Sequence, residues 1–380
     1  MLMLASVVSL VEARIKLVAL PERDATVIRL DNPAITLIEE ERVLTLQKGL
    51  NKVDFSWKAV SIDSDSIRLA VLSNPGKVRL LNVSYPPGEA ALVWEIYSEG
   101  NFAETVRISY LLRNIDRLIT YNAVADKEET AVDFKSYVVM RNFSGEDFDM
   151  ANVLLDYGQA FEKGIKHEET KKLLFLKKQD VPITKIWTFD SAKQIWDPEK
   201  LENQNVGIPV SYQMKNTKAG GLGEFAMWGG KARIFQNDGS KNKSTIFLGE
   251  DVSGQVPVGE KMQLYIGDSR DIVVTQRQMK NDKDNIRWDS RRKKIILYDT
   301  LELITAKIEN FKDKPAKLTM IQHIQGQWKM NSCTLDDKNF KYERVNASTL
   351  KFEVKLPART DKGPAVKNFV MDFSRINVRP

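Results

Sequence analysis

Period-two alternation of side-chain type is the feature that most constrains what this chain can fold into. Val106, Ile108, Tyr110 and Leu112 alternate with Arg107, Ser109 and Leu111. Leu350, Phe352, Val354 and Leu356 alternate with Lys351, Glu353 and Lys355. Successive side chains of a strand point to opposite faces, so each apolar set lines one face of a sheet and each polar set meets water. Near Thr300 the parity slips. Leu301 and Leu303 share one parity, and Ile304, Ala306 and Ile308 share the other. The slip reads as a β-bulge or as two short strands. Long amphipathic helical patterns are scarce, and the best, Ser191–Gln204, is interrupted by Pro198. Asn74-Pro75-Gly76, Tyr85-Pro86-Pro87-Gly88, Asn237-Asp238-Gly239 and Pro257-Val258-Gly259 suit tight reversals. Asp238-Gly239 separates Ala232–Phe235 from Thr245–Leu248, which predicts a hairpin.

These patterns predict an all-β chain with little helix: tandem sandwich-like domains ending in an immunoglobulin-like sandwich. At 380 residues it can hold several cores. Three blocks are expected, an N-terminal β domain over 14–90, a central β domain over 91–285 and a C-terminal sandwich over 294–380. The polar stretch Lys280–Lys294 reads as a linker or an exposed hairpin. Residues 1–13 are nearly all apolar and end in Val11-Glu12-Ala13, as in a signal peptide, although no basic residue precedes the run. A buried strand is the other reading. The expected location is periplasmic or secreted. The run is too short for a membrane span, which needs about 20 apolar residues.

Composition narrows the chemistry. Cys333 is the single cysteine, and His167 and His323 are the two histidines. A disulfide framework is therefore excluded, and most zinc sites and nucleophile–base triads lack their residues. No cofactor, metal site or catalytic residue is assigned. Carboxylates remain the main catalytic resource. Net charge is +6, a mild basic bias that favours anionic partners. It is too diffuse for the stripe of cations that nucleic acid requires.

Several stretches resemble the family catalogued as domain of unknown function 4139, which includes the mucoidy inhibitor A proteins. They are Leu37–Arg42 with Leu46–Asn51, Ile62–Ile67, Met140–Gly145 with Asp149–Leu155, Gly230–Phe235 with Leu248–Asp251, and Thr305–Pro315 with Gln327-Trp328. They recur in the family's order along nearly the whole chain. Arg117 stands where the family often has Trp, and Met227-Trp228-Gly229 replaces its usual Leu-Pro. The coiled-coil insertion of larger relatives is absent. The resemblance implies an all-β fold and export, and it carries no catalytic residues.

Two candidate binding segments stand out. Arg287-Trp288-Asp289-Ser290-Arg291-Arg292-Lys293-Lys294 sets four consecutive cations near an aromatic. It would grip a phosphate or carboxylate polymer, or else serve as a soluble loop guarding a sheet edge. Glu250-Asp251 is an acidic pair bordering a turn, open to a cation or a glycan hydroxyl or held in a hydrogen-bonded turn. Asn281–Asn285 lacks the Gly and Glu of a calcium loop, and Gly220–Gly223 lacks the following helix of a dinucleotide loop. The function expected is that of a non-enzymatic envelope or periplasmic protein that binds a protein partner or an anionic surface polymer. The alternatives are a carbohydrate-active enzyme with paired carboxylates in an inter-domain cleft and a structural subunit of a surface assembly.

Overall fold

The computed structural model describes residues 16–32, 34–155, 160–193, 207–240, 242, 244–291 and 293–380. The signal-like segment 1–13, Arg292 and most of Ser191–Gln204 lie outside them. Among the described residues, regular structure is strand apart from two 3-10 turns, Ser191–Lys193 and Lys218–Gly220. The all-β expectation holds. Contacts divide the chain into two units, one running up to Ile119 and including Ser136–Phe175, the other made of Thr120–Lys135 and Leu176–Pro380.

The first unit contains β1 (Lys16–Val18), β2 (Ala25–Arg29), β3 (Thr36–Leu46), β4 (Gly49–Ser56), β5 (Ile62–Val71), β6 (Val78–Ser84), β7 (Ala91–Ser98) and β8 (Phe102–Leu112). Strands β9 (Ile115–Ala125) and β10 (Ala131–Asn142) divide between the units, β11 (Asn152–Leu154) and β12 (Ala160–Glu162) belong to the first, and β13 (Glu169–Pro182) again divides. One sheet has the order β1-β4-β7-β6, the other β12-β11-β2-β3-β8-β5. Phe55 of β4 meets Trp94 of β7 at 5.5 Å and Tyr110 of β8 at 6.0 Å between ring centroids, so the two sheets share one core. The alternation of β8 is realised, with Val106, Ile108, Tyr110 and Leu112 all buried.

The second unit contains β14 (Thr184–Asp190), β15 (Ile208–Lys215), β16 (Gly230–Asn237), β17 (Thr245–Ser253), β18 (Lys261–Ser269), β19 (Ile272–Asp289), β20 (Lys294–Asn310), β21 (Ala316–His323), β22 (Gln327–Leu335), β23 (Lys338–Asn339), β24 (Glu343–Arg344), β25 (Thr349–Leu356) and β26 (Ala365–Val378). Sheets of order β18-β15-β14-β21-β25-β24 and β19-β20-β26-β22-β23 enclose a core of Trp187, Phe189, Ile308, Leu318, Phe352, Phe369 and their neighbours. Beside this sandwich, the 120–125 part of β9 pairs in parallel with β16, which forms the expected hairpin with β17. Gly239 in its turn has φ 78°, a conformation that favours glycine.

The expected domain limits shift. The break at 90/91 falls between β6 and β7, which are paired strands (Val78 opposite Ser98). Of the two readings of Lys280–Lys294, the exposed hairpin holds, since Lys280–Asp289 lies in β19 and Lys294 opens β20, its antiparallel partner. The terminal sandwich begins before residue 294, because β14 pairs in parallel with β21 and brings β15 and β18 with it.

The parity slip near Thr300 has a different cause from the one expected. Strand β20 is continuous, and from Thr300 to Asn310 its even-numbered residues face inward. Thr300 and Glu302 are buried members of that inward set. Thr300 Oγ1 donates to Glu302 Oε1 at 2.7 Å, Gln278 Nε2 donates to Oε2 at 3.1 Å, and Arg375 pairs with the same carboxylate. Polar side chains on the inner face therefore hide an unbroken alternation. The register does slip on the partner strand, where Met279 has no opposite residue.

Candidate anion-binding site

The acidic pair proves to be spent on structure. Glu250 and Asp251 lie within β17, just after a register shift opposite Ile234, and not at a turn. Glu250 pairs with Lys231 at 2.7 Å and Arg233 at 3.0 Å across the hairpin, and those two cations hold its carboxyl below the usual range. Asp251 accepts the backbone N–H of Tyr265 at 2.7 Å and that of Val252 at 2.8 Å. Adjacent strand residues point to opposite faces, so the two carboxylates do not converge.

The basic segment forms the free end of the β19–β20 hairpin. Arg287 pairs with Asp299 at 3.2 Å, Trp288 is 58% exposed, and Arg291 donates its backbone N–H to Asp289 Oδ1 at 2.9 Å. Lys293 occupies the turn with φ 50°. Arg292 lies outside the described residues.

Other motif residues hold loops in place. Buried Asn142 donates to the carbonyl of Glu146 at 2.7 Å and accepts from Ser144. Buried Asn310 donates to Pro357 O at 2.6 Å and accepts from Lys312 N at 3.0 Å. Buried Asn216 accepts from Gly223 N at 2.9 Å, which ties down the glycine-rich loop. Trp328 Nε1 donates to Ala347 O at 2.8 Å. His167 Nδ1 accepts from Gly145 N at 3.1 Å, and His323 Nε2 lies 2.9 Å from Asp190 Oδ1. No group of three metal-ligating side chains occurs among the described residues. No helix there is long and apolar enough to cross a membrane.

What the fold assembles instead is a lysine-lined groove, which the sequence reading missed. A hollow of about 580 Å³ in the second unit is bounded by Lys185, Trp187, Lys312, Lys314, Lys317 and Lys355, with Glu128 and Glu129 at one side. Trp187 is buried beneath it, with Lys185 Nζ 5.5 Å and Lys312 Nζ 5.8 Å from its ring centroid. Glu128 pairs with Lys314, which holds its pKa below the ordinary carboxylate range. Glu129 Oε1 accepts Lys185 Nζ at 2.6 Å and the Tyr212 hydroxyl at 2.6 Å. Burial, and then that carboxylate, hold the Tyr212 phenol far above its ordinary value. Lys312 reaches Asp271 at 3.5 Å and Lys317 reaches Glu353 at 2.8 Å.

Lys355 has no ion-pair partner among the described residues, and it stands directly opposite Lys317 on the neighbouring strand. Like charges in that position destabilise a sheet, and a bound anion relieves the repulsion. A linear pattern search could not find the groove. Its cations come from β14, the β20–β21 loop, β21 and β25, and only strand pairing joins them.

No protein-family model matches the chain, and no curated protein matches it.

Proposed function

We propose that this is a non-enzymatic protein of the cell envelope that holds an anionic surface polymer, carboxylated or phosphorylated, in the Trp187 groove. The observation that carries the reading is five lysines around one hollow, four of them paired with Glu128, Glu129, Asp271 and Glu353, and Lys355 left without an ion pair among the described residues and opposite Lys317. Ammonium groups on flexible stems suit a polymer of repeating negative charge, because each can follow a different anionic group without a fixed fork geometry. The envelope location and a relationship to the domain of unknown function 4139 family belong to the same proposal. They are supported by the ordered motifs between Leu37 and Trp328.

Calorimetric titration with inorganic polyphosphate, polygalacturonate and neutral dextran tests the reading. Binding of either polyanion should weaken at least about tenfold in Lys355→Glu and fall steeply with salt, whereas dextran should not bind. Equal affinity for dextran, or an unchanged affinity in Lys355→Glu, would sink it.

A second reading, hydrolysis of a glycan, has one observation in its favour. Asp190 and Asp268 line the same hollow of about 600 Å³ beside Tyr265 and Lys193. Asp190 already contacts His323, and Asp268 accepts the Tyr265 hydroxyl at 2.8 Å. Release of reducing ends that is abolished in Asp190→Asn and Asp268→Asn would establish it, and no release would dismiss it.

A further inference from the structure

The free end of the β19–β20 hairpin has a composition that solubility does not explain. Strand β26 pairs with β20 only from Tyr298 onward, where it meets Val378, while β19 and β20 continue to pair as far as Asp289 and Lys294. Residues 287–289 and 294–297 therefore form a two-stranded arm beyond the third strand. Such a ribbon is marginal by itself. Its base is fixed by Asp299, which pairs with Arg287 at 3.2 Å and accepts Asn285 Nδ2 at 3.0 Å and Asn377 N at 2.9 Å. Lys283 Nζ adds a contact 4.6 Å from the Tyr298 ring centroid.

Two kinds of side chain interleave on the arm. Trp288 and Ile296 are 58% and 49% exposed, and Ile286 at the base of the arm is 41% exposed. Arg287, Arg291, Lys293 and Lys294 supply four cations, and the last three form no ion pair among the described residues. Edge protection accounts for lysine and arginine on a strand at the margin of a sheet. It does not account for an exposed tryptophan and two exposed isoleucines at the same end, which raise the association hazard that charge is there to suppress. An anionic bilayer surface accounts for both. Tryptophan prefers the headgroup level, short apolar side chains enter the boundary with the acyl chains, and lysine and arginine are drawn to negative headgroups.

We propose that this arm docks the protein on an anionic lipid surface, with Trp288 and Ile296 in the interface and Arg291, Lys293 and Lys294 on the headgroup phosphates. The site and the ligand differ from those of the Trp187 groove, so either proposal can fail alone.

The test uses the whole chain in flotation with phosphatidylcholine vesicles, with and without phosphatidylglycerol. Phosphatidylglycerol vesicles should carry the protein and phosphatidylcholine vesicles should not. Trp288→Ser, Ile296→Ser and the pair Lys293→Glu with Lys294→Glu should each lower partitioning by about tenfold or more. All are exposed positions, and an unchanged far-ultraviolet circular dichroism spectrum confirms the fold. Brominated lipid should quench fluorescence in the native chain and lose that component in Trp288→Ser. Failure to float with phosphatidylglycerol overturns the proposal. So does loss on charge reversal with full retention in both apolar variants, because that pattern marks a polyphosphate or acidic-protein contact and no bilayer.

Discussion

Glu129 is the residue on which the hairpin tip 120–135 is held against the sandwich of its own unit, and its removal has a calculable cost. One of its oxygens accepts both the Tyr212 hydroxyl and Lys185 Nζ, each at 2.6 Å. Tyr212 is fully buried, while Lys185 and Glu129 keep 20% of their side-chain surface exposed. A hydrogen bond to a charged acceptor contributes about 1.5–3 kcal/mol, and a partly screened ion pair about 0–1 kcal/mol. Glu129→Ala should therefore cost about 2–4 kcal/mol. The φ of 60° at this position adds nothing to the difference, because both residues carry a Cβ. Tyr212→Phe alone removes the same hydrogen bond and should cost about 1.5–3 kcal/mol. The double variant has no orphaned hydroxyl, so it should be less destabilised than the sum of the singles by about 1.5–2.5 kcal/mol. Urea unfolding of the four proteins, followed by tryptophan fluorescence, completes the cycle. Additivity within about 0.5 kcal/mol would refute the argument, since it would mean that the hydroxyl and the carboxylate act independently.

Phe352→Ala should cost about 3–5 kcal/mol in the same unfolding assay, because this fully buried ring packs edge-on to Phe369 at 5.0 Å and stacks on Phe340 at 6.0 Å. Burial pushes the Cys333 thiol up from 9.0 to about 11, so the folded chain keeps its proton where the unfolded chain loses it. Stability from this group is complete below pH 9 and is lost as pH rises toward about 11, by about 2–3 kcal/mol, and Cys333→Ala should lack that alkaline limb relative to the native chain. Gly145→Ala should destabilise the first unit by about 3 kcal/mol or more, since a Cβ there would lie 2.1 Å from the Ala59 carbonyl oxygen at a φ of +90°, and a lowered denaturation midpoint checks it.

Strands were legible in the sequence wherever the inward face is apolar, as in β25 and in β8 from Val106 to Leu112. Reading failed where an inward position is polar and satisfied inside the protein. Glu302 looks like a surface residue until Arg375, some seventy positions later, is known to reach it. The buried asparagines present the same difficulty. Asn142 and Asn216 carry no signal in the sequence for their clamping role, because a loop-clamping asparagine and a solvated turn asparagine are the same letter.

The two cationic sites differ in legibility for a reason rooted in sheet geometry. The hairpin arm is contiguous because a tight turn places its own neighbours side by side, so Arg287–Lys294 can be seen by eye. The groove is dispersed because a sheet places residues beside whatever strand pairs with theirs. Lys185 reaches the groove through the parallel pairing of β14 with β21, and Lys355 through its position opposite Lys317. Linear charge clustering is thus biased toward hairpin ends, which are exposed and cationic for solubility in any case. Opposed like charges such as Lys317 and Lys355 carry more information, since stability alone disfavours them and a bound anion removes the penalty. If Lys355→Glu raised the denaturation midpoint while polyanion affinity fell, that one variant would show the lysine kept for binding against a cost in stability.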